Sequence, residues 1–164
     1  MNVILETRGL RKYFGGAQVI NGIDFQIEQG ETRCVIGPNG AGKSTFFKLL
    51  VGEHRPTQGS VHFFGTDISA APPFRRVQDG MSIKFQIPGI FPDLTVEDHL
   101  TLALQRSTTL HERSATRDRL LDLFNLTQEQ QVKAGNLSHG KKQWLEIGMA
   151  VALKPKILLL DEPV

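Results

Sequence analysis

Cysteine is almost absent from this chain. Cys34 is the only one in 164 residues, which excludes a disulfide framework and a zinc site built from cysteines. Because it lies in the apolar stretch Thr32–Ile36, it is expected to be a small buried hydrophobe. Long hydrophobic runs are also missing: none approaches the roughly 18 apolar residues of a membrane span. The opening Met1-Asn2-Val3-Ile4-Leu5-Glu6 has no basic segment ahead of an apolar core, so no secretory signal is visible. The expected location is therefore the cytosol, unless a partner holds the chain at a membrane. Charge of one sign is scarce too, with a net charge of only +2. The basic residues are scattered over Arg8–Lys12, Arg75-Arg76, Arg113–Arg119 and Lys141-Lys142, the pattern of solvated surface rather than of a nucleic-acid footprint. There is no internal repeat and no low-complexity segment. With 40% hydrophobic and 22% charged residues, the composition is that of an ordinary globular domain. A compact chain of this length buries roughly 70% of its unfolded surface.

Against these absences stands Gly37-Pro38-Asn39-Gly40-Ala41-Gly42-Lys43-Ser44, which fits G-x-x-x-x-G-K-[ST], the loop whose backbone N–H groups cradle nucleotide phosphates. Its setting is the one such a loop requires. Thr32–Ile36 before it is predicted as a short buried strand, and Thr45–Val51 after it as a helix. Gly37, Gly40 and Gly42 lack a Cβ, so the backbone can take positive φ and approach a phosphate closely. The first amides of the helix have no intrahelical acceptor, and the helix dipole favours an anion beside them. Lys43 is placed to reach the β- and γ-phosphates, and the Ser44 hydroxyl to ligate Mg²⁺.

Hydrophobic patterning places the other elements. Val3–Thr7 and Val19–Ile27 are predicted strands; in the second, Ile23, Phe25 and Ile27 alternate with polar residues, as in a half-buried antiparallel strand. Ser60–Phe64 and Ser82–Gln86 are further short strands, and Pro72-Pro73 can open a helix over Phe74–Val77. A helical section follows. Thr95 is an expected N-cap with Glu97 and Asp98 in the first turn and Leu100, Ala103 and Leu104 on the apolar face. A second helix is predicted over Ser114–Asn125 with Leu120, Leu121 and Phe124 inward, and a third from Ser138 to about Leu153, before Pro155. Lys156–Asp161 is an apolar run closed by a carboxylate, suited to a central parallel strand. A carboxylate at such a strand tip is what a phosphate-loop protein needs: Asp161 to hold Mg²⁺, and the adjacent Glu162 as base for the attacking water.

With these residues assembled, the chain resembles the ATPase subunit of ABC transporters over its whole length. Gly37 to Thr45, including Pro38, Asn39 and Ala41, matches the family's Walker A motif. Ile157 to Glu162 matches Walker B with its catalytic glutamate. Gln86 falls at the Q-loop, which in the family touches Mg²⁺ and relays nucleotide state to membrane subunits. Leu137-Ser138-His139-Gly140-Lys141 falls at the signature, normally Leu-Ser-Gly-Gly-Gln. Tyr13 falls where the family stacks an aromatic ring on adenine. Phe85–Val96 and Leu137–Met149 most resemble the importer group for urea and branched-chain amino acids. The resemblance implies an α/β fold: a P-loop NTPase core, RecA-like with a mainly parallel sheet, joined to an N-terminal antiparallel β part. It also implies one ATP-binding domain over residues 1–164, with a helical subdomain at about 92–137. The implied cofactors are ATP and Mg²⁺. The implied partners are a second ATPase subunit and transmembrane permease subunits, on the inner face of the plasma membrane, with no nucleic acid and no direct membrane insertion. In the family two subunits close head to tail, so that Ser138, His139, Gly140 and Lys141 would act on the partner's ATP. The Pro88–Phe91 loop would either contact the permeases or tuck onto its own domain. An Asn-Lys-x-Asp guanine-reading element is absent, as are the long coiled coil of chromosome-maintenance ATPases and the second cassette of translation-associated ones.

Two departures from the family pattern stand out. Lys141 replaces the signature glutamine at the third helical position, where it cannot return a capping bond and its charge opposes the helix dipole. It could instead face the partner's γ-phosphate, which leaves the sign of its effect open; the expectation is a modest loss of closure affinity relative to glutamine. The sequence also stops at Val164, so the family's D-loop, next core strand and switch histidine are not in it. The fold is therefore expected to be incomplete at the C-terminus and the isolated chain marginally stable, with weak ATP affinity and near-background hydrolysis. The alternative is a non-hydrolysing remnant that binds nucleotide or partner subunits.

Overall fold

A computed structural model describes residues 2–84 and 89–161. The chain divides into two compact units, Met1–Asp79 and Gly80–Val164.

The first unit is built on a four-stranded antiparallel sheet, in the order β2-β1-β3-β4. Its strands are β1 (Val3–Phe14), β2 (Ala17–Glu28), β3 (Gln58–Phe63) and β4 (Thr66–Asp67). The alternation in Val19–Ile27 forms as expected, with Thr7 opposite Phe25 and Leu10 opposite Ile23. Three steps along β1 against two along β2 make a bulge at Gly9, whose φ is +53°. The bulge lets β1 continue past the charged Arg8, Arg11 and Lys12, which interrupt the alternation and conceal the strand's second half in sequence. Helix α1 (Lys43–Val51) lays Phe46, Leu49 and Leu50 into the core with Ile4, Leu5, Leu10, Ile20 and Val61. Each such side chain contributes about 1.5–3 kcal/mol when fully buried. Phe46 meets Phe25 edge to face at 5.6 Å.

Helix α2 (Pro73–Asp79) supplies a feature that the sequence conceals. Arg76, expected among solvated charges, is only 1% exposed. Its guanidinium donates to the carbonyls of Leu49 (2.9 Å) and Leu50 (2.7 Å) at the C-terminus of α1, and to those of Ile68 (2.6 Å), Ser69 (3.3 Å) and Ala71 (3.0 Å). Leu49 O and Ile68 O also accept from the Gly52 and Ala71 amides, so the guanidinium gives them a second donor while serving the other helix-end and loop carbonyls itself. Burial pushes the guanidinium down to about 10, with Asp67 acting in the opposite sense, so it remains charged at neutral pH. Gly52 ends α1 at φ +85°, and a Cβ there would lie 2.7 Å from Arg76 Nε. Only glycine leaves room for the clamp.

The predicted strand Thr32–Ile36 does not form: residues 31–38 carry no strand, and none of the described strands pairs with them. A strand is held by its neighbours' hydrogen bonds, and without one the segment stays open. Ile36 is 92% exposed, and Cys34 is exposed rather than buried.

The second unit pairs β5 (Met81–Lys84) in parallel with β6 (Ile157–Leu160), the arrangement expected of an apolar run ending in a carboxylate. Three helices accompany the pair: α3 (Val96–Leu104), α4 (Leu110–Leu123) and α5 (His139–Ala152). Val96, Leu100, Leu104, Leu121, Leu126 and Leu145 lie at the centre of their shared core. Helix α4 starts earlier than its apolar face indicates, because Thr109 and Glu112 form a capping pair: Glu112 accepts from the Thr109 amide (3.3 Å) and hydroxyl (2.9 Å). Thr95 and Asp98 cap α3 likewise, with Asp98 accepting at 3.1 and 2.7 Å. The capping threonines' hydroxyls, then their amides, hold both carboxyls below the usual range. A depressed native value means that the stabilisation is present above the ordinary carboxylate range and is lost as pH falls through the native values. Melting temperature is therefore expected to drop between about pH 5 and pH 3, and the Asp98→Asn/Glu112→Gln double variant to flatten that slope.

Candidate functional site

The loop predicted to hold phosphate runs into α1 without a side-chain cap. Gly42 is the N-cap, among the described residues no side chain caps the first-turn amides, and no acidic residue lies in that turn. Gly40 and Gly42 have φ of +82° and +88°. Gly37 does not use positive φ; a Cβ there would lie 3.3 Å from that of Ala41. At Gly42 a Cβ would come within 3.0 Å of both the Val19 carbonyl and Ile20 Cδ1, so the loop rests against β2 and glycine is required twice over. The Ala41 amide donates to Pro38 O at 3.2 Å, and Phe46 N to Gly42 O at 2.8 Å, fixing the turn into the helix. Lys43 Nζ donates to Gly37 O (2.7 Å) and Pro38 O (3.0 Å), so its ammonium spans the two ends of the loop. Asn39 and Ala41 are exposed, and Ser44 and Thr45 are partly buried in the first turn of α1. Free amides, a cation and a hydroxyl at one helix N-terminus form an arrangement that suits a phosphate chain.

Tyr13 stands at the closed end of the β1–β2 hairpin. Its amide donates to Thr57 Oγ1 (3.1 Å), and its hydroxyl accepts from Gln18 Nε2 (3.2 Å). Gln18 directly precedes Val19, the residue against which Gly42 packs, so the hairpin joins the aromatic ring to the loop through one short segment.

In the second unit, Ser138 caps α5 as predicted, its hydroxyl accepting from the Lys141 amide at 3.4 Å. Ser138, His139 and Gly140 are exposed, and Gln143 Nε2 lies 3.2 Å from His139 Nε2. Lys141 is ion-paired with Glu129, in the 3-10 turn Thr127–Glu129, and Lys142 donates to Gly135 O at 2.9 Å. Asp161 follows β6, its amide donating to Lys84 O at 3.3 Å and extending the parallel ladder. Ser44 thus belongs to the first unit and Asp161 to the second. Gln86 and Glu162 lie outside the described residues. Among the described residues no cluster of three or more His, Cys, Asp or Glu could hold a metal ion. The oxygen donors Ser44 and Asp161 are of the hard type that suits Mg²⁺.

Two further residues hold the Gly89–Phe91 segment. His99 is completely buried on α3; its Nε2 accepts from the Phe91 amide (2.9 Å), and its Nδ1 lies 2.7 Å from Thr95 O. A carbonyl can only accept, so Nδ1 carries the proton and the ring is neutral. Glu146 on α5 accepts from the Gly89 amide at 2.7 Å. A cavity of about 280 Å³ lies beside it, lined by Ile83, Ala103, Glu146, Met149 and Leu153. The inward face of α3, which carries His99 beside Leu100, is the sequence signal that marks this histidine.

The family model described as ABC transporter matches residues 20–164. An uncharacterized ABC transporter ATP-binding protein of Rhizobium meliloti is 36% identical over 160 residues, covering 97% of this chain and 59% of its own length. The high-affinity branched-chain amino acid transport ATP-binding protein BraF of Pseudomonas aeruginosa is 32% identical, over 98% of this chain and 69% of its own. Sugar-import, putrescine-transport and lipopolysaccharide-export ATP-binding proteins match as well. Among solved structures, an ATP-binding cassette of an ABC transporter superposes with a TM-score of 0.87 at 29% identity, covering 99% of this chain and 70% of that one. The chain spans less than two thirds of the length of the curated relatives that head these matches. By sequence and fold, the chain belongs to the ABC transporter ATP-binding family.

Proposed function

We propose that the chain is the ATP-binding and hydrolysing part of a transporter that imports a small polar solute of the urea or branched-chain amino acid type. The observation that carries the nucleotide half is the uncapped start of α1, with Lys43 spanning its loop. In this reading the amides from Gly40 to Thr45 bind the phosphates, Lys43 exchanges its two carbonyl partners for β- and γ-phosphate oxygens, and Tyr13 stacks on adenine. Ser44, Asp161 and Gln86 would hold Mg²⁺, which neutralises charge on the phosphates when bound. Glu162 takes the proton of the attacking water. Ser138, His139 and Gly140 present the N-terminus of α5 to nucleotide on a second ATPase subunit, the same or a related one.

The solute assignment rests on the Phe85–Val96 and Leu137–Met149 stretches and is supported by the branched-chain amino acid relative. Permease docking is supported by membership of the ABC transporter family, while the described part of the loop, Gly89–Phe91, is bonded to Glu146 and His99 of its own unit. Among the described residues no helix is long and apolar enough to cross a membrane. In this reading the chain sits on the cytoplasmic face and reaches the bilayer through permeases. A second reading, nucleotide binding without turnover, is favoured by the Thr32–Ile36 segment, which pairs with no strand among the described residues. Calorimetric titration with MgATP is expected to show one site per chain; absence of binding by both ATP and ADP would overturn both readings.

A further inference from the structure

The signature-position lysine has a partner of its own. Lys141 occupies the third position of α5, where a cation opposes the helix's positive end. Its side chain turns back to Glu129, twelve residues earlier, and Lys142 turns back to Gly135. The segment 127–136 thus draws both first-turn cations aside, and the end of the helix presents amides rather than an ammonium. The Glu129 side chain is 19% exposed, and its second oxygen, Oε2, is buried without a hydrogen-bond partner among the described residues. A carboxylate satisfied on one side only is held less firmly than a fully bonded one. An anion arriving at the helix end competes with Glu129 for the same ammonium.

We propose that Glu129 is a positioning residue for the signature: it latches Lys141 on its own subunit and withholds that charge from the nucleotide of the partner subunit, acting as a brake on closure. This rests on the proposed nucleotide-sandwiching function. The latch assigns a sign to position 141, since freeing the lysine strengthens closure.

The test has two readouts on the full chain. In the first, amine acylation resolved by peptide mass spectrometry follows Lys141, with Lys142 as internal control. Glu129→Gln is expected to raise Lys141 reactivity about threefold or more, the scale of a partly exposed ion pair. In the second, sedimentation follows self-association with a non-hydrolysable MgATP analogue. Glu129→Gln is expected to lower the analogue concentration required, and Lys141→Gln added to it to remove that gain, with unchanged circular dichroism verifying the fold. Unchanged Lys141 reactivity, or self-association that is weaker, unaltered or absent while nucleotide still binds, overturns the latch alone. Loss of nucleotide binding by the unmutated chain overturns the latch together with the proposed function.

Discussion

Arg76→Met is expected to destabilise the chain by about 3 kcal/mol, because carbonyls at the end of α1 and in the loop that follows β4 lose the guanidinium's hydrogen bonds together, with only Leu49 O and Ile68 O keeping a backbone donor. A domain of this size then melts roughly 10 °C lower. Methionine matches much of the side-chain length and is tolerant in packing, so the loss reports hydrogen bonding rather than a cavity. The guanidinium reaches Leu49 O, Leu50 O, Ile68 O, Ser69 O and Ala71 O through all three of its nitrogens. A lysine offers one nitrogen and cannot fork, so Arg76→Lys should recover less than half of the loss. Thermal unfolding followed by circular dichroism checks both. Equal melting temperatures for the methionine variant and the unmutated chain would mean that water serves these carbonyls as well as the arginine does.

Lys43→Ala is expected to weaken MgATP binding by about tenfold to a hundredfold, the worth of one or two charge-assisted hydrogen bonds to phosphate. Stability should change little. The lysine's present partners, Gly37 O and Pro38 O, belong to a partly exposed loop where water replaces the lost donor cheaply. Affinity lost at constant melting temperature separates a binding role from a structural one. Titration of both proteins with MgATP, beside their melting curves, gives the answer. Arg76 and Lys43 thus divide the labour on one helix: the first secures the C-terminal end of α1, and the second serves its N-terminal end.

How legible these features are in sequence depends on the range of the interaction that makes them. The glycine turn into α1 and the cap of α3 are local, and a few consecutive residues determine both, so they stand where the spacing places them. The cap of α4 is equally local, in Thr109 and Glu112, but the weak amphipathic pattern of residues 110–123 places the expected start at Ser114. Arg76 reads as surface charge because its acceptors are backbone carbonyls, which any sequence possesses. The Glu129 partner of Lys141 is hidden for a related reason: a turn between helices sets their approach, and no periodicity marks it. Thr32–Ile36 fails in the opposite sense. Its composition is that of a strand, yet a strand requires a neighbour, and among the described residues it has none. Cys34, in the middle of that segment, is exposed.

The central claim is that nucleotide phosphates sit on the amides at the start of α1. Two-dimensional amide NMR during MgATP titration tests it residue by residue. The amides of Gly40, Gly42, Lys43 and Ser44 are expected to move most and together, and to stay still over the same concentration range in Lys43→Ala. Binding that shifts amides elsewhere and leaves these four unmoved would contradict it.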